Sequence, residues 1–301
     1  MSTEPRASAS VVLLRDDRSN GLEVFLLRRH AASSVWGGVH VFPGGKLDVA
    51  DCAPHWSEVL DRPVASLHAD LGEPDLPHAE AVGLFVAVVR ETLEECRVSL
   101  VHPANDGFHA IAPEQRLQWQ QRLNQGDNFF TLLQQSGVRL DTHGLAPWSR
   151  WITPLASSSG SPKRFDTRFF VAALPPGQEP VHDNVEAVDS LWLTPREALQ
   201  RWWDKQIVLA PPQIMNLANL VPYADVSSVL QAARAKRPVR ILPEAFVDAE
   251  GRRFLCYPGD PYHSVPERAQ AGPTRLGYFD DRFEPEGGLK ALLEPLPLHL
   301  T

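Results

Sequence analysis

Near the end of a proline-free run from His78 to Cys96, one arginine and three glutamates stand together in Arg90-Glu91-Thr92-Leu93-Glu94-Glu95. The run HAEAVGLFVAVVRETLEEC is rich in helix formers, and a largely buried helix is predicted although Val82, Val86, Val88 and Val89 lower its propensity. At about 100° per residue, Glu91 and Glu95 lie about 40° apart and Glu94 about 60° to the other side of Glu91. The three carboxylates therefore share one face. Like charges at these spacings cost roughly a few tenths of a kcal/mol per pair on an isolated helix, which a cation would offset. Arg90, one turn before Glu94, can neutralise one of them. The remaining charge suits a hard divalent ion, Mg²⁺ or Mn²⁺, which prefers carboxylate and water oxygens and leaves positions open for phosphate. Taken alone, the same residues also read as an acidic pair on a solvated helix face.

Several elements must position that helix. Residues 8–15 (SASVVLLR) and 22–29 (GLEVFLLR), separated by DDRSNG, predict a hairpin. VWGGVHVFPGG then packs glycines and a proline around a brief apolar strand, as backbone does where it turns tightly or approaches a ligand. Residues 52–77 are polar and cut by Pro54, Pro63, Pro74 and Pro77, which predicts an inserted loop or short helices. The glutamine-rich segment 113–135 is predicted helical, with strands over Trp148–Thr153, Phe165–Leu174 and Val188–Leu193. Thr194 and Pro195 supply an N-cap and a first-turn proline for a helix through about Trp203, and residues 213–235 predict one or two more. The tail from Arg237 is rich in proline and glycine with short strand-like runs (AFVDAEGRRFLCY), and no internal repeat is present. Mixed strands and helices place the fold in the α/β (α+β) class, as a layered sandwich.

Phe42-Pro43-Gly44-Gly45-Lys46-Leu47-Asp48 and RETLEE together resemble the Nudix signature G-x5-E-x7-R-E-U-x-E-E-x-G-U, where U is a bulky aliphatic residue. Gly45 matches the first glycine, Asp51 the first acidic position, and Arg90, Glu91, Glu94, Glu95 and Val98 the later ones. Asp51 replaces Glu, Thr92 a bulky aliphatic residue and Arg97 the closing glycine, while residues 52–89 stand where the simple signature has seven positions. The sequence is similar to the Nudix branch that includes the mammalian peroxisomal coenzyme A diphosphatase, whose signature is split after an HVFPGG-x-LD segment. Here HVFPGGKLDVAD occupies residues 40–51, and RFDTRFF (164–170) and LWLTPREAL (191–199) extend the likeness over roughly residues 8–235. The resemblance implies a Nudix-type α/β/α sandwich with a mixed β-sheet over residues 1–236, an insertion within the box, and an extension, 237–301, of unassigned role.

It also implies a metal-dependent hydrolase of a nucleotide diphosphate linked to a second group, with coenzyme A or acyl-CoA as one substrate. NADH, ADP-ribose and other nucleotide derivatives are alternatives, as is a non-catalytic nucleotide-binding module. Glu91 and Glu95 would be the main ligands of Mg²⁺ or Mn²⁺, helped by the Gly45 carbonyl, Glu94 an additional ligand or a water-positioning group, Arg90 would orient the carboxylates, and the general base would be Glu91 or a loop carboxylate such as Glu186. Read as an ordinary residue, Glu186 is simply solvated. Arg29, within the segment upstream of FPGG, would bind substrate. Arg164 and Arg168 flank Asp166 and could grip phosphate, or form an ion-pair ladder. Trp36, Trp148, Trp151 and Trp192 could stack on a base or fill the core. For His30, His40 and His182, solvation or local hydrogen bonding is the default.

Composition narrows the partners. With 29 Lys+Arg against 37 Asp+Glu the formal charge is −8, so the whole-chain field repels long nucleic acid and leaves small phosphorylated ligands. Cys52, Cys96 and Cys256 form no CxxC pair, no 18-residue apolar span is present, and the opening residues MSTEPRASAS predict no signal peptide. A cytoplasmic protein with no membrane contact is the expectation. A homodimer is the assembly the resemblance leaves open, with the segment after Arg237 as its surface. GxSxG, P-loop and GxGxxG motifs are absent.

Overall fold

Val11–Leu14 and Val24–Leu27 are apolar at every position, the pattern of strands covered on both faces, and they lie at the centre of the sheet. The computed structural model describes residues 4–32, 37–104, 111–155, 164–280 and 282–294. Its elements run β1 (Arg6–Asp17), β2 (Gly21–Arg29), β3 (His40–Val41) and β4 (Gly44–Lys46), then α1 (Val64–Leu71) and α2 (His78–Cys96). After these come β5 (Val101–Pro103), α3 (Pro113–Asn124), α4 (Phe129–Ser136), β6 (Val138–Leu140), β7 (Ala146–Ile152), β8 (Phe165–Ala173) and β9 (Ala187–Leu193). Three helices follow, α5 (Pro195–Trp203), α6 (Pro211–Leu220) and α7 (Val226–Ala235). The chain ends with β10 (Val239–Ile241), β11 (Glu244–Val247), β12 (Arg253–Cys256), β13 (Arg275–Phe279), β14 (Arg282–Pro285) and α8 (Lys290–Leu293).

The main sheet runs β10-β7-β8-β1-β2-β3, with β4 on β1 and β9 on β2. It is mixed: β1 and β8 are parallel, as are β7 and β10, and the other pairs are antiparallel. Alternation along β1 splits its apolar residues between two cores. Val11 and Leu13 pack with Leu84, Phe85 and Val88 of α2, whereas Val12 and Leu14 pack with Ile214 and Leu217 of α6. The result is the expected α/β/α sandwich.

Residues 52–77 fold as a short 3-10 turn (Pro54–Glu58) and α1, anchored by buried Trp56, Leu67 and Leu71. The described residues of the extension, 237–280 and 282–294, share the second core, where Ile241, Leu255, Leu276 and Phe283 pack with Phe169 and Met215. Their first strand, β10, joins the main sheet and the next four form a sheet of their own. Among the described residues no helix is long and apolar enough to cross a membrane.

Candidate metal and substrate cleft

The α2 carboxylates meet the glycine pair of β4. The antiparallel register sets Gly44 opposite Ser10 and Gly45 opposite Ala9, and this holds the turn against the end of α2. The Gly44 N–H donates to Oε2 of buried Glu95 at 2.8 Å. A Cβ added at Gly45 would lie 2.2 Å from Glu91 Oε1, so the Glu91 carboxylate rests directly on glycine backbone. Arg90 then ties the cluster together. Its Nε and Nη2 grip Asp51 at 3.0 and 2.9 Å, while Nη1 donates to Glu91 Oε1 and Glu94 Oε2, both at 2.9 Å.

One guanidinium does not balance this charge. Burial pushes Glu91 up to about 7, opposed by Arg90 and reinforced by Glu94 and Glu186. Burial raises Glu94 as well, and it raises Glu95 well above the ordinary carboxylate range with help from Glu91 and against the Gly44 N–H. For Arg90 burial opposes the charge, but Asp51, Glu91 and Glu94 hold the guanidinium protonated beyond its ordinary value. Among the described residues no three His, Cys, Asp or Glu side chains are already gathered to hold an ion. Glu91 and Glu94 each turn an oxygen to Arg90 and Glu95 turns one to Gly44, so each keeps its second carboxylate oxygen for another partner.

A cleft of about 460 Å³ opens beside the cluster, and Glu91, Gly45, Arg29 and Glu186 all line it. Pairing of β2 with β9 brings the last two together, because a register shift at Arg28/Arg29 sets Arg29 opposite Ala187. The Glu186 loop is fixed by Asp183, which accepts the Glu186 and Ala187 N–H groups, and by the His30 N–H donated to the Glu186 carbonyl at 2.8 Å. Glu186 is exposed and Arg29 half-buried, with its Nε unpartnered among the described residues.

The two arginines of RFDTRFF are elsewhere. Phe165, Thr167 and Phe169 line the cleft, so strand alternation sends Arg168 to the opposite face. There it is buried and paired with Glu73 at 2.6 Å and Asp166 at 3.0 Å. Arg164 precedes β8 and donates from Nε to the Thr153 carbonyl at 2.9 Å. Neither arginine lies on the cleft, and their expected phosphate grip is replaced by structural pairing. Of the tryptophans, Trp151 lines the cleft, Trp148 is core and Trp192 packs on Phe25 beneath Arg15, while Trp36 lies outside the described residues. His30 and His182 are locally hydrogen-bonded, whereas His40 is buried with Nδ1 unpartnered among the described residues.

The departures from the signature have local explanations. Thr92 is buried, and its hydroxyl donates to the Val88 carbonyl at 2.6 Å. Arg97 ends α2 in the left-handed region (φ 56°), the conformation for which glycine is the usual residue, and its Nε donates to Gln120 Oε1 at 2.6 Å. Gln120 in turn donates to the Glu94 carbonyl at 2.6 Å, so α3 braces the end of the carboxylate helix. Sequence reasoning missed this brace, and it missed Lys46 on the cleft rim, whose only signal was its place directly after Gly44-Gly45.

Known proteins share this architecture. The family model of the NUDT19 Nudix domain matches residues 5–220. Acyl-coenzyme A diphosphatase NUDT19 of Gallus gallus is 29% identical, the match covering 79% of this chain and 74% of the relative. The Homo sapiens protein of that name is also 29% identical, over 82% of this chain and 73% of its own. A crystal structure of a Nudix hydrolase from Alicyclobacillus acidocaldarius aligns with a TM-score of 0.63 at 26% identity, covering 79% of this chain and 99% of that one. With well over half of its length matched by the family model, the chain belongs to the Nudix hydrolases, in the branch defined by the NUDT19 Nudix domain.

Proposed function

We propose that this chain hydrolyses the diphosphate linkage of coenzyme A or an acyl-CoA, with Mg²⁺ or Mn²⁺ as cofactor. The products are 3′,5′-ADP and 4′-phosphopantetheine or its acyl form. The observation that carries the reading is the surplus of carboxylates on the last turns of α2, pressed against Gly44-Gly45 at the edge of a cleft that also holds Arg29, Lys46 and Glu186. The names of the NUDT19 relatives support the choice of substrate.

The donor set fits a hard divalent cation: every side-chain donor is a carboxylate, and their mutual repulsion and burial are relieved by added positive charge. Glu91, Glu94 and Glu95, with the Gly45 carbonyl, would hold it, and when bound it polarises the diphosphate and acidifies a coordinated water. Arg90 keeps Glu91 and Glu94 side by side. Arg29 and Lys46 attract the substrate phosphates. As the water oxygen bonds to phosphorus, its proton passes to Glu91 or Glu186, the bridging P–O bond breaks, and the electron pair leaves with the departing phosphate.

Incubating the purified protein with CoA, acetyl-CoA, NADH, ADP-ribose and nucleotide sugars, with Mg²⁺, Mn²⁺ or EDTA, and weighing the products tests this directly. Metal-dependent release of 3′,5′-ADP is the expected result. Preferred turnover of NADH or ADP-ribose would replace the substrate and keep the chemistry, whereas saturable binding without turnover would mark a binding module. Comparing pH–rate profiles of Glu91→Gln and Glu186→Gln assigns the base, since its loss removes the acidic limb.

A further inference from the structure

The cleft has two chemically different ends. One carries Glu91, Glu186, Arg29 and Lys46; the other is lined by Trp151, Phe165 and Phe169 from β7 and β8, with Arg6 opposite Phe165, and by Pro243, Leu255 and Phe283 as its roof. The roof residues come from the extension, beyond the segment that the NUDT19 Nudix domain matches. Phe283 and Leu255 are held in the second core, on strands of the four-stranded sheet, so the roof is a fixed surface.

Three hydroxyls of the cleft lining are already occupied. Ser8 and Thr167 hydroxyls bond each other at 2.7 Å, and Ser10 donates to the Pro43 carbonyl at 2.9 Å. At the rim, α6 begins with Pro211-Pro212, which offer no backbone N–H to a phosphate or a base edge. Gln213 on the first turn of α6 and Arg6 beside Phe165 are the polar side chains left there for a base or a phosphate, whereas an unbranched apolar chain needs only the aromatic wall and the roof to displace water.

We infer that the carboxy-terminal extension completes the active site as an apolar subsite for the acyl arm of the substrate, with Phe283 and Leu255 setting the response to chain length. This rests on the diphosphatase reading above. The metal-side groups would engage the diphosphate that all CoA species share, and the extension would separate long acyl thioesters from free CoA.

The test is a chain-length series, CoA, acetyl-, hexanoyl- and decanoyl-CoA, with the full chain. From acetyl- to hexanoyl-CoA, kcat/KM should rise about tenfold or more through a lower KM. Phe283→Ala or Leu255→Ala should shrink that ratio to about twofold, whereas Val247→Ala, exposed on the same small sheet, should keep it. Because a core substitution can unfold the extension, product inhibition of the wild type serves as a second readout. Decanoyl-4′-phosphopantetheine should inhibit at least about tenfold better than 4′-phosphopantetheine. Hydrolysis of CoA with a flat series and equal inhibition by the two products would overturn the subsite and leave the diphosphatase reading standing. No hydrolysis of any CoA species would overturn both.

Discussion

Two partly buried clusters of arginine and carboxylate lie on the α2 side of the sheet, and they differ in charge balance. In one, Arg150 and Arg168 face Glu73 and Asp166, two against two, with contacts of 2.6 to 3.0 Å. In the other, a single Arg90 faces Asp51, Glu91 and Glu94, with Glu95 buried close behind. The balanced cluster needs nothing further, and it fastens Glu73 of the insertion to β7 and β8. In the unbalanced cluster burial raises the proton affinity of Glu91 and Glu95 and favours an added cation, and the cluster is carried on a helix buried along most of its length. Residue types alone do not separate a fastener from a site. Net charge within one contact shell does.

The largest expected effect tests the unbalanced side. Glu95→Gln should lower metal-dependent kcat by about 10²–10³-fold or more, the scale seen when one electrostatic group is removed from a preorganised site. The folded state should persist, as read by circular dichroism. Near-wild-type turnover at saturating metal would end the assignment of this cluster. On the balanced side, Glu73→Ala leaves buried Arg168 and half-buried Arg150 sharing one carboxylate and should cost at most about 3–5 kcal/mol of stability in denaturant titration. Its kcat, measured on the folded fraction, should stay within about threefold. A reversal of these two outcomes would invert the comparison.

Titration sharpens it. Glu91 is raised from 4.5 to about 7 by burial, so the unfolded chain loses its proton first as pH rises. Below about 4.5 both states are protonated and this group contributes nothing; between about 4.5 and 7 stability falls; above 7 the deficit levels at about 3 kcal/mol. In EDTA, Glu91→Gln should therefore match the wild type near pH 5 and exceed it by about 2–3 kcal/mol near pH 8. Saturating Mg²⁺ should reverse the order at pH 8 if Glu91 is a metal ligand as proposed, because metal would bind the ionised wild-type carboxylate. Identical pH profiles for the two proteins in EDTA would show that burial does not strain this group.

How far the sequence could be read follows the same division. The carboxylate face of α2 was legible because its geometry is local, set by helical period, and the hairpin of β1 and β2 was legible for the same reason. Thr194 caps α5 from its own sequence neighbourhood, accepting the Glu197 N–H at 3.1 Å. What lay hidden depends on partners far along the chain. Arg168 looked available for phosphate because Glu73, which claims it, is 95 residues away. The cleft itself is assembled from β1, β4, β8, the start of α6 and the extension, and no periodicity links Ser8 to Phe283. Strand parity was a usable signal: once Phe165 and Phe169 face the cleft, Arg168 cannot.

Adjacent glycines offer a smaller test within the site. A Cβ at Gly44 would meet the Ala9 carbonyl at 2.3 Å, backbone that cannot yield, whereas at Gly45 it would meet the movable end of Glu91. Gly45→Ala should thus lower kcat by about tenfold with under about 1 kcal/mol lost in stability, by moving a carboxylate. Gly44→Ala should instead destabilise by roughly 2–3 kcal/mol, since both its clash and its φ of 148° oppose a side chain.

The smallest effect concerns Arg97, where the signature has glycine. Its left-handed backbone costs an arginine about 1–2 kcal/mol relative to glycine, and the hydrogen bond to Gln120 returns about 1 kcal/mol. Arg97→Gly should therefore change stability by no more than about 1 kcal/mol and leave kcat within about twofold. Gln120→Ala should act in the other direction, because it releases both Arg97 and the Glu94 carbonyl. If the turn proposed to hold metal depends on that brace, the Gln120 variant should need about two- to fivefold more Mg²⁺ for half-maximal turnover, an effect the glycine variant lacks because it leaves the bond to Glu94 intact.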